Sequence, residues 1–217
     1  MHLLGDHECS CEDSEVCGSD IMIRWIPTIL FTCLSGVAVF SMDTIGVNGS
    51  GVRFGTTTEC KVEGKPKKMV LTGAAMRTKY LVNVYAIASY IQEGTKAKTA
   101  EDLVNADACK QLHLVMERQV DGRDMYANFR SSILLNHQEN EFAEQLPVLE
   151  NLFKETKVLK GDQVKLTYIP GKGLHCHVID KIEVTIPGLE FSKAIWEIYL
   201  GKKNLGDSIK KGLLSKI

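Results

Sequence analysis

The segment 79–92, KYLVNVYAIASYIQ, carries the strongest β-strand pattern in the chain. Alternate side chains of a strand point to opposite faces of a sheet. One face would carry Leu81, Asn83, Tyr85, Ile87 and Ser89, and the other Tyr80, Val82, Val84, Ala86 and Ala88. Both sets are largely apolar, so both faces are expected to be covered. The chain is therefore predicted to contain a sheet with structure packed on each side.

Other strand patterns are grouped along the chain, with helix patterns between and after them. The strand patterns cover 56–64, 68–73, 110–120 and, in two or three pieces, 162–188. The helix patterns cover 99–107, a segment after Asp121, 141–155, 189–200 and a short final segment around Leu213. This order lacks the regular strand–helix alternation of a parallel sheet, and it predicts an antiparallel α+β domain.

Local signals place the ends of several helices. Asp121 can cap a helix in which Met125 and Phe129 begin a core-facing stripe. Pro147 is expected to kink or split the helix at 141–155, because proline disrupts a helix interior. Gly201 is expected to end the helix that follows residue 188.

Length and charge limit the function classes. A chain of 217 residues fits one domain, or one domain with appendages. The net charge of -1 and a pI near 6.6 give no basic surface of the kind that binds nucleic acid. No nucleic-acid partner is therefore expected.

The first 41 residues have the layout of an export signal. Arg24 precedes an apolar run at 25–40, and small residues follow near Ser41, with Ala38 as a second possible cleavage region. The run is shorter than the roughly 20 residues of a spanning helix. We expect residues 22–41 to be a signal peptide, with a retained membrane anchor as the alternative. Residues 1–21 are expected to be an overextended start, and the location is expected to be periplasmic or secreted.

The remaining chain is divided into a linker and a domain. Residues 42–55 are rich in Gly, Ser and Asn, and they are predicted to be a flexible linker to a domain at 56–217. Cys60, Cys109 and Cys176 remain in the domain, so at most one disulfide can form there.

Sequence motifs for common catalytic and metal sites are absent. The chain has no G-x-S-x-G, C-x-x-C, H-E-x-x-H, Walker or dinucleotide-binding motif. His175 and His177 would share one face of a strand, but no third ligand is evident from the sequence. They are interpreted as surface histidines, and neither a metal nor another cofactor is expected.

Arg77 is the main candidate for a binding residue, because small and apolar residues surround it. It is either an edge-strand arginine with its head in water or an anchor for a carboxylate or oxyanion in an apolar cleft. A tyrosine hydroxyl beside Arg77 would complete such an anion site, and Tyr85 has the matching strand parity. Eight residues of straight strand span roughly 27 Å, so the two side chains can meet only if the chain turns between them.

Three segments together resemble the chalcone isomerase-like family, particularly its bacterial exported members. They are LTGAAMRTKYLVNVYAIASYI, YIPGKG and IPGLEFSKAIWEIYLGKKNLGDSIKKGLL, and the resemblance extends over about 56–214. It implies an open-faced sandwich, in which helices cover a large antiparallel sheet and a ligand cleft lies between the layers.

The resemblance also implies site residues. Plant enzymes that cyclise chalcones use an arginine at the position of Arg77, where it stabilises a phenolate. Fatty-acid-binding relatives use it with a tyrosine to hold a carboxylate. Tyr85 is similar to those relatives, since the enzymes carry threonine there, and Tyr126 matches a cleft tyrosine. The asparagine that the enzymes carry on this helix is missing, since its position falls near Ser132. Thr185 is a rough match for the active-site hydroxyl residue that the enzymes have late in the chain.

These features lead to the functional expectation of a non-catalytic exported binder. The ligand would be a small amphipathic anion, fatty-acid-like or phenolic, held by Arg77, Tyr85 and Tyr126. One alternative is an enzyme, an isomerase (intramolecular lyase) of the chalcone–flavanone type with Arg77 as the catalytic residue. The other alternative is an accessory protein without a small ligand. A membrane would be a partner only through an uncleaved N-terminal segment.

Overall fold

The computed structural model describes residues 43–217. The predicted signal peptide at 22–41 and the predicted overextended start at 1–21 lie outside this range. Among the described residues, no helix combines the length and apolar character needed to cross a membrane.

The described chain folds into short and long strands with helices between and after them. The strands are β1 (Thr44–Gly46), β2 (Arg53–Gly55), β3 (Thr57–Val62), β4 (Lys65–Lys79), β5 (Val82–Gln92), β6 (Lys110–Met116), β7 (Val120–Asp121), β8 (Lys157–Val158), β9 (Gln163–Ile169), β10 (Gly173–Val178) and β11 (Ile182–Ile186). The helices are α1 (Ala100–Asn105), α2 (Gly122–Ile133), α3 (Gln145–Lys154), α4 (Leu189–Leu200) and α5 (Asp207–Leu213), with a 3-10 turn at Glu139–Phe142.

Seven strands form one antiparallel sheet in the order β11-β10-β9-β6-β5-β4-β3. The sheet is curled, because the edge strand β3 contacts β9. In the strand order, β4, β5 and β6 lie between those two strands. Two further strand pairs, β1 with β2 and β7 with β8, lie outside it. The predicted antiparallel α+β class is confirmed.

Both faces of β5 are covered, as its two apolar faces predicted. Ile87 and Ile91 belong to a large core that the helices complete. Ala86, Ala88 and Tyr90 belong to a smaller core on the opposite face. The buried apolar area on each side drives the packing of both layers.

The strand predicted at 79–92 is wrong at its beginning. Tyr80 and Leu81 form a two-residue turn, and both have positive φ angles, 50° and 65°. β4 runs up to this turn and β5 leaves it, so the segment is a hairpin rather than one strand. Such turns usually contain Asn or Gly. Tyrosine and leucine gave no such signal.

The helix ends mostly follow their local signals. The Asp121 carboxylate caps α2 by accepting a hydrogen bond from the Arg123 backbone N–H. The predicted helix at 141–155 is split into the 3-10 turn and α3, and Pro147 lies in the first turn of α3, where proline is tolerated. α4 ends at Gly201, as predicted.

The prediction of a flexible linker at 42–55 is wrong for the described residues. β1 and β2 form a hairpin there, and the Arg53 side chain donates hydrogen bonds to the Thr44 side chain and backbone. Phe54 is only 2% exposed, in the smaller core, where its ring contacts His113 edge to face. One buried aromatic side chain anchors a segment whose composition otherwise indicates flexibility.

The three cysteines of the domain agree with the prediction of at most one bridge. Cys60 on β3 forms a disulfide with Cys109, which precedes β6. Cys176 is a buried free thiol in the large core.

Candidate functional site

The hairpin of β4 and β5 brings Arg77 and Tyr85 into direct register. They are paired residues of the antiparallel ladder, next to a register shift between Arg77 and Thr78. Directly opposite residues of such a pair point to the same face of the sheet. The separation of about 27 Å for a straight strand does not apply, because the turn at Tyr80 and Leu81 reverses the chain.

Tyr199, near the end of α4, completes the group. Its hydroxyl lies 3.1 Å from the hydroxyl of Tyr85, and both rings are buried. Burial raises the pKa of Tyr85, while the bond to Tyr199 and the charge of Arg77 partly oppose that rise. Burial and the neighbouring Tyr85 hydroxyl raise the pKa of Tyr199 well above its ordinary value. Both tyrosines therefore stay neutral hydrogen-bonding groups at physiological pH.

The Arg77 guanidinium is held by backbone carbonyl groups. One terminal nitrogen, Nη1, donates to the Thr78 carbonyl at 3.0 Å and to the Leu205 carbonyl at 3.4 Å. Among the described residues, no acidic side chain forms an ion pair with Arg77. A guanidinium has five N–H donors in a planar fork, so most of them remain for a ligand.

These residues lie in a cleft of about 340 Å³ between the sheet and the helices. That volume is at the low end of the range for small-molecule sites. Its lining consists of Arg77, Lys79, Val84, Tyr85, Arg118, Gln119, Val120, Asp121, Asp124, Met125, Asn128, Phe129, Ser132, Ile198, Tyr199 and Leu205. Apolar side chains from β5, α2 and α4 thus share the cleft with a polar group at Arg77.

Charged residues also line the cleft. Lys79 on β4 donates a hydrogen bond to the Asn128 side chain of α2 at 3.3 Å and so links the two layers. Arg118 adds a second exposed cation, whereas Asp121 and Asp124 at the start of α2 add carboxylates. The Asp121 carboxylate is occupied as the helix cap. Arg77 is the half-buried cation of the site.

The sequence profile of the family described as chalcone isomerase-like matches residues 46–215, which is more than half of the chain. The chain belongs to the chalcone isomerase-like family. Among solved structures, it is similar to a fatty-acid binding protein of Arabidopsis thaliana at 18% identity. That match covers 79% of this chain and 96% of the other, with a TM-score of 0.63, and at this identity it shows the fold alone. A search of curated proteins found no significant match.

Within this chalcone isomerase-like domain, Tyr126 does not line the cleft, contrary to the sequence prediction. It lies in a separate depression with Arg123, Glu150 and Lys154, between the outer sides of α2 and α3. Met125 and Phe129 occupy the face of α2 that lines the cleft. Successive residues of a helix are about 100° apart because one turn takes 3.6 residues. The residues of α2 that line the cleft share one side of the helix, and Tyr126 lies outside that arc.

The other residues considered from the family resemblance also have defined positions. Thr185 lies on β11, where its hydroxyl bonds His175 at 3.1 Å, and it is not among the residues that line the cleft. The position expected for the enzymes' asparagine is occupied by Ser132 or Ile133, whereas Asn128, one helical turn earlier, lines the cleft.

Tyr199 is the residue that the sequence reasoning missed. Its position in an apolar stripe of α4 indicated only a core residue. A buried tyrosine normally needs a hydrogen-bond partner, and that requirement was the available signal. The partner, Tyr85, is 114 residues away in sequence, so the pairing became visible only in the fold.

Proposed function

We propose that this chalcone isomerase-like protein binds a small amphipathic carboxylate, of the fatty-acid type, without converting it. The observation that carries the proposal is the Arg77 guanidinium in the cleft, free of any acidic partner among the described residues and beside the Tyr85–Tyr199 hydroxyl pair. A carboxylate is the ligand that best matches a planar guanidinium fork.

The two hydroxyls supply a further donor. Tyr85 and Tyr199 share one hydrogen bond, in which one hydroxyl donates and the other accepts. The accepting hydroxyl keeps its own proton and can donate it to a ligand oxygen. An anionic head at Arg77 would therefore receive one charged and one neutral hydrogen bond. The raised pKa values of both tyrosines keep those protons in place.

The apolar side chains near this group suit an alkyl or aryl tail. Val84, Met125, Phe129 and Ile198 line the same cleft. Burial of each methylene of a tail contributes about 0.8 kcal/mol. The similar plant protein is described as a fatty-acid binding protein, which supports this ligand class.

We further propose that the protein works outside the cytoplasm, with residues 22–41 as its export signal or membrane anchor. The disulfide between Cys60 and Cys109 supports this location, because disulfides persist in oxidising compartments.

The decisive test is a displacement titration with a fluorescent fatty acid on the full chain, with a fatty acid and the fatty alcohol of equal chain length as competitors. The wild type is expected to prefer the acid. Arg77→Ala should weaken acid binding by about tenfold to a hundredfold, because a hydrogen bond to a charged group contributes about 1.5–3 kcal/mol. Alcohol binding should change little. Tyr85→Phe should show a smaller loss in the same direction.

Arg123→Ala is the matched control, since Arg123 lies in the depression on the outer side of α2. It should leave both competitors unaffected. Equal affinity for acid and alcohol in the wild type would contradict the proposal. So would turnover of a chalcone in a parallel absorbance assay, if Arg77→Ala abolished that turnover, because the cleft would then belong to an isomerase.

A further inference from the structure

A second cluster of polar side chains lies on the sheet face that the helices do not cover. His175 and His177 alternate on β10 with the core residues Leu174 and Cys176. The neighbouring strand β11 places Glu183 directly opposite His177. Residues paired in this way point to the same face of a sheet. The fold therefore supplies a carboxylate to the two histidines, for which the sequence offered no third partner.

The separations within this cluster suit a shared ion. One ligand-capable atom of each of the three side chains lies within 4.8 Å of the other two. His175 Nε2 and Glu183 Oε2 are 3.3 Å apart. Two ligands of a tetrahedral ion with bonds of about 2.0–2.2 Å are roughly 3.4 Å apart. That pair already has the right spacing for two ligands of one ion.

Thr185 orients one of the two imidazoles. Its hydroxyl oxygen lies 3.1 Å from His175 Nδ1, which directs Nε2 toward Glu183. Metal-binding histidines commonly have their second ring nitrogen held in this way. If Nδ1 donates its proton to Thr185, then Nε2 presents a lone pair to a carboxylate oxygen. A cation between those two atoms would remove the repulsion.

We propose that His175, His177 and Glu183 bind one divalent metal ion of the Zn²⁺ class. Two imidazoles and one carboxylate form a donor set that suits Zn²⁺, and a water molecule would take the fourth position. Glu183 is exposed, so an ion can enter from solvent. The ion would tie the edge strand β11 to β10. The site lies on the face opposite the cleft and does not depend on the ligand proposed there.

The charge of Lys165 should affect the affinity of this site for Zn²⁺. It lies on β9 opposite His177, on the same face of the sheet. Its positive charge would repel a bound cation, and the effect is moderate because Lys165 is half-buried at a solvent-accessible face. Replacing it with glutamine should raise the affinity for Zn²⁺ several-fold.

The test is equilibrium dialysis of the full chain against Zn²⁺, with the bound metal measured by elemental analysis. His177→Gln and Glu183→Gln should each bind one Zn²⁺ fewer per chain than the wild type. Comparison between variants of the same chain is needed because cysteines at 9, 11, 17 and 33 can bind Zn²⁺ separately.

Thr185→Val should weaken the site about tenfold. Glu59→Gln is the matched control, because it removes a strand carboxylate that lies opposite Lys68 in the β3–β4 register rather than opposite a histidine.

Imidazole NMR spectra provide a readout that locates the ion. Zn²⁺ should shift the ring signals of His175 and His177 and leave that of His113, which bonds Gln163 on the same face, unchanged. Equal Zn²⁺ content in wild type and His177→Gln would overturn the proposal. Unshifted His175 and His177 signals at saturating Zn²⁺ would also overturn it. The contact between His175 and Glu183 would then be an ordinary histidine–glutamate ion pair.

Discussion

Lys110 shows how a single buried charge is accommodated at the residue scale. Its side chain is 0% exposed, and its ammonium donates hydrogen bonds to the Leu103 and Val104 carbonyls of α1. The ammonium also lies 5.0 Å from the ring centre of Trp196. Burial, with help from the charge of Lys193, lowers the pKa of Lys110 to about 7, although Asp107 opposes the change. The folded state therefore disfavours the proton that an unfolded lysine keeps.

This shift predicts a pH dependence of stability. Between pH 7 and 9 the unfolded chain binds more protons at Lys110 than the folded chain, so the free energy of unfolding should rise with pH. The rise should be about 1 kcal/mol per pH unit for this group. Urea unfolding at pH 7, 8 and 9 should show a clearly smaller rise in Lys110→Met. An equal rise in both proteins would show that Lys110 keeps an ordinary pKa when folded.

At the scale of elements, the β4–β5 hairpin builds the site and also carries backbone strain. Residues 80 and 81 connect the two strands, and their turn sets the register that pairs Arg77 with Tyr85. Their left-handed conformations cost roughly 1–2 kcal/mol each for residues other than glycine. Their side chains are 89% and 98% exposed, so packing does not offset that cost.

Leu81→Gly should therefore stabilise the protein by about 1 kcal/mol, because glycine adopts positive φ without steric cost. Thermal and urea unfolding would measure the change. Val82→Gly, one residue later in the regular strand, is the matched control and should destabilise. A loss of stability in Leu81→Gly would mean that the turn does not have positive φ at this residue.

A second element contact depends on glycine. α5 packs directly on β4, where a Cβ at Gly73 would lie 2.1 Å from the Gly212 carbonyl oxygen. The Thr72 hydroxyl fixes the same contact by donating to the Leu213 carbonyl at 2.9 Å. The two backbones are too close for any larger residue.

Gly73→Ala is therefore expected to destabilise the protein by about 1–3 kcal/mol, as overpacking does. Gly64→Ala provides the comparison, because Gly64 also has positive φ but its added Cβ would meet no atom within 4 Å. The difference between the two losses, from urea unfolding, isolates the clash with α5. Equal losses would show that α5 does not approach β4 so closely.

At the scale of the whole molecule, one covalent link joins distant parts of the chain. The Cys60–Cys109 disulfide connects residues 49 apart. A link of this loop length removes conformational freedom from the unfolded chain, and the entropic model assigns it about 4 kcal/mol.

Replacing both cysteines with alanine should lower the free energy of unfolding by about 2–4 kcal/mol. The same loss should follow reduction of the wild type by dithiothreitol, which should leave the stability of the double variant unchanged. Cys176→Ala serves as the contrasting variant, since its loss would come from a core cavity and not respond to reductant. Equal stability of oxidised and reduced wild type would contradict the prediction.

Features set by neighbours in sequence were predictable. The two apolar faces of β5, the Asp121 cap of α2 and the end of α4 at Gly201 all follow from residues within a turn or two of each other. The three family-like segments identified the fold, and they also indicated Arg77 and Tyr85 as candidates. Such features depend on local periodicity and backbone chemistry, which the sequence states directly.

The relative placement of those candidates was decided only by the tertiary structure. A turn without Asn or Gly placed Arg77 beside Tyr85, and helix packing brought in Tyr199 while turning Tyr126 outward. Strand pairing likewise brought Glu183 to the two histidines. Helix rotation and strand register depend on the burial of many side chains from distant segments at once, and no local pattern specifies that balance.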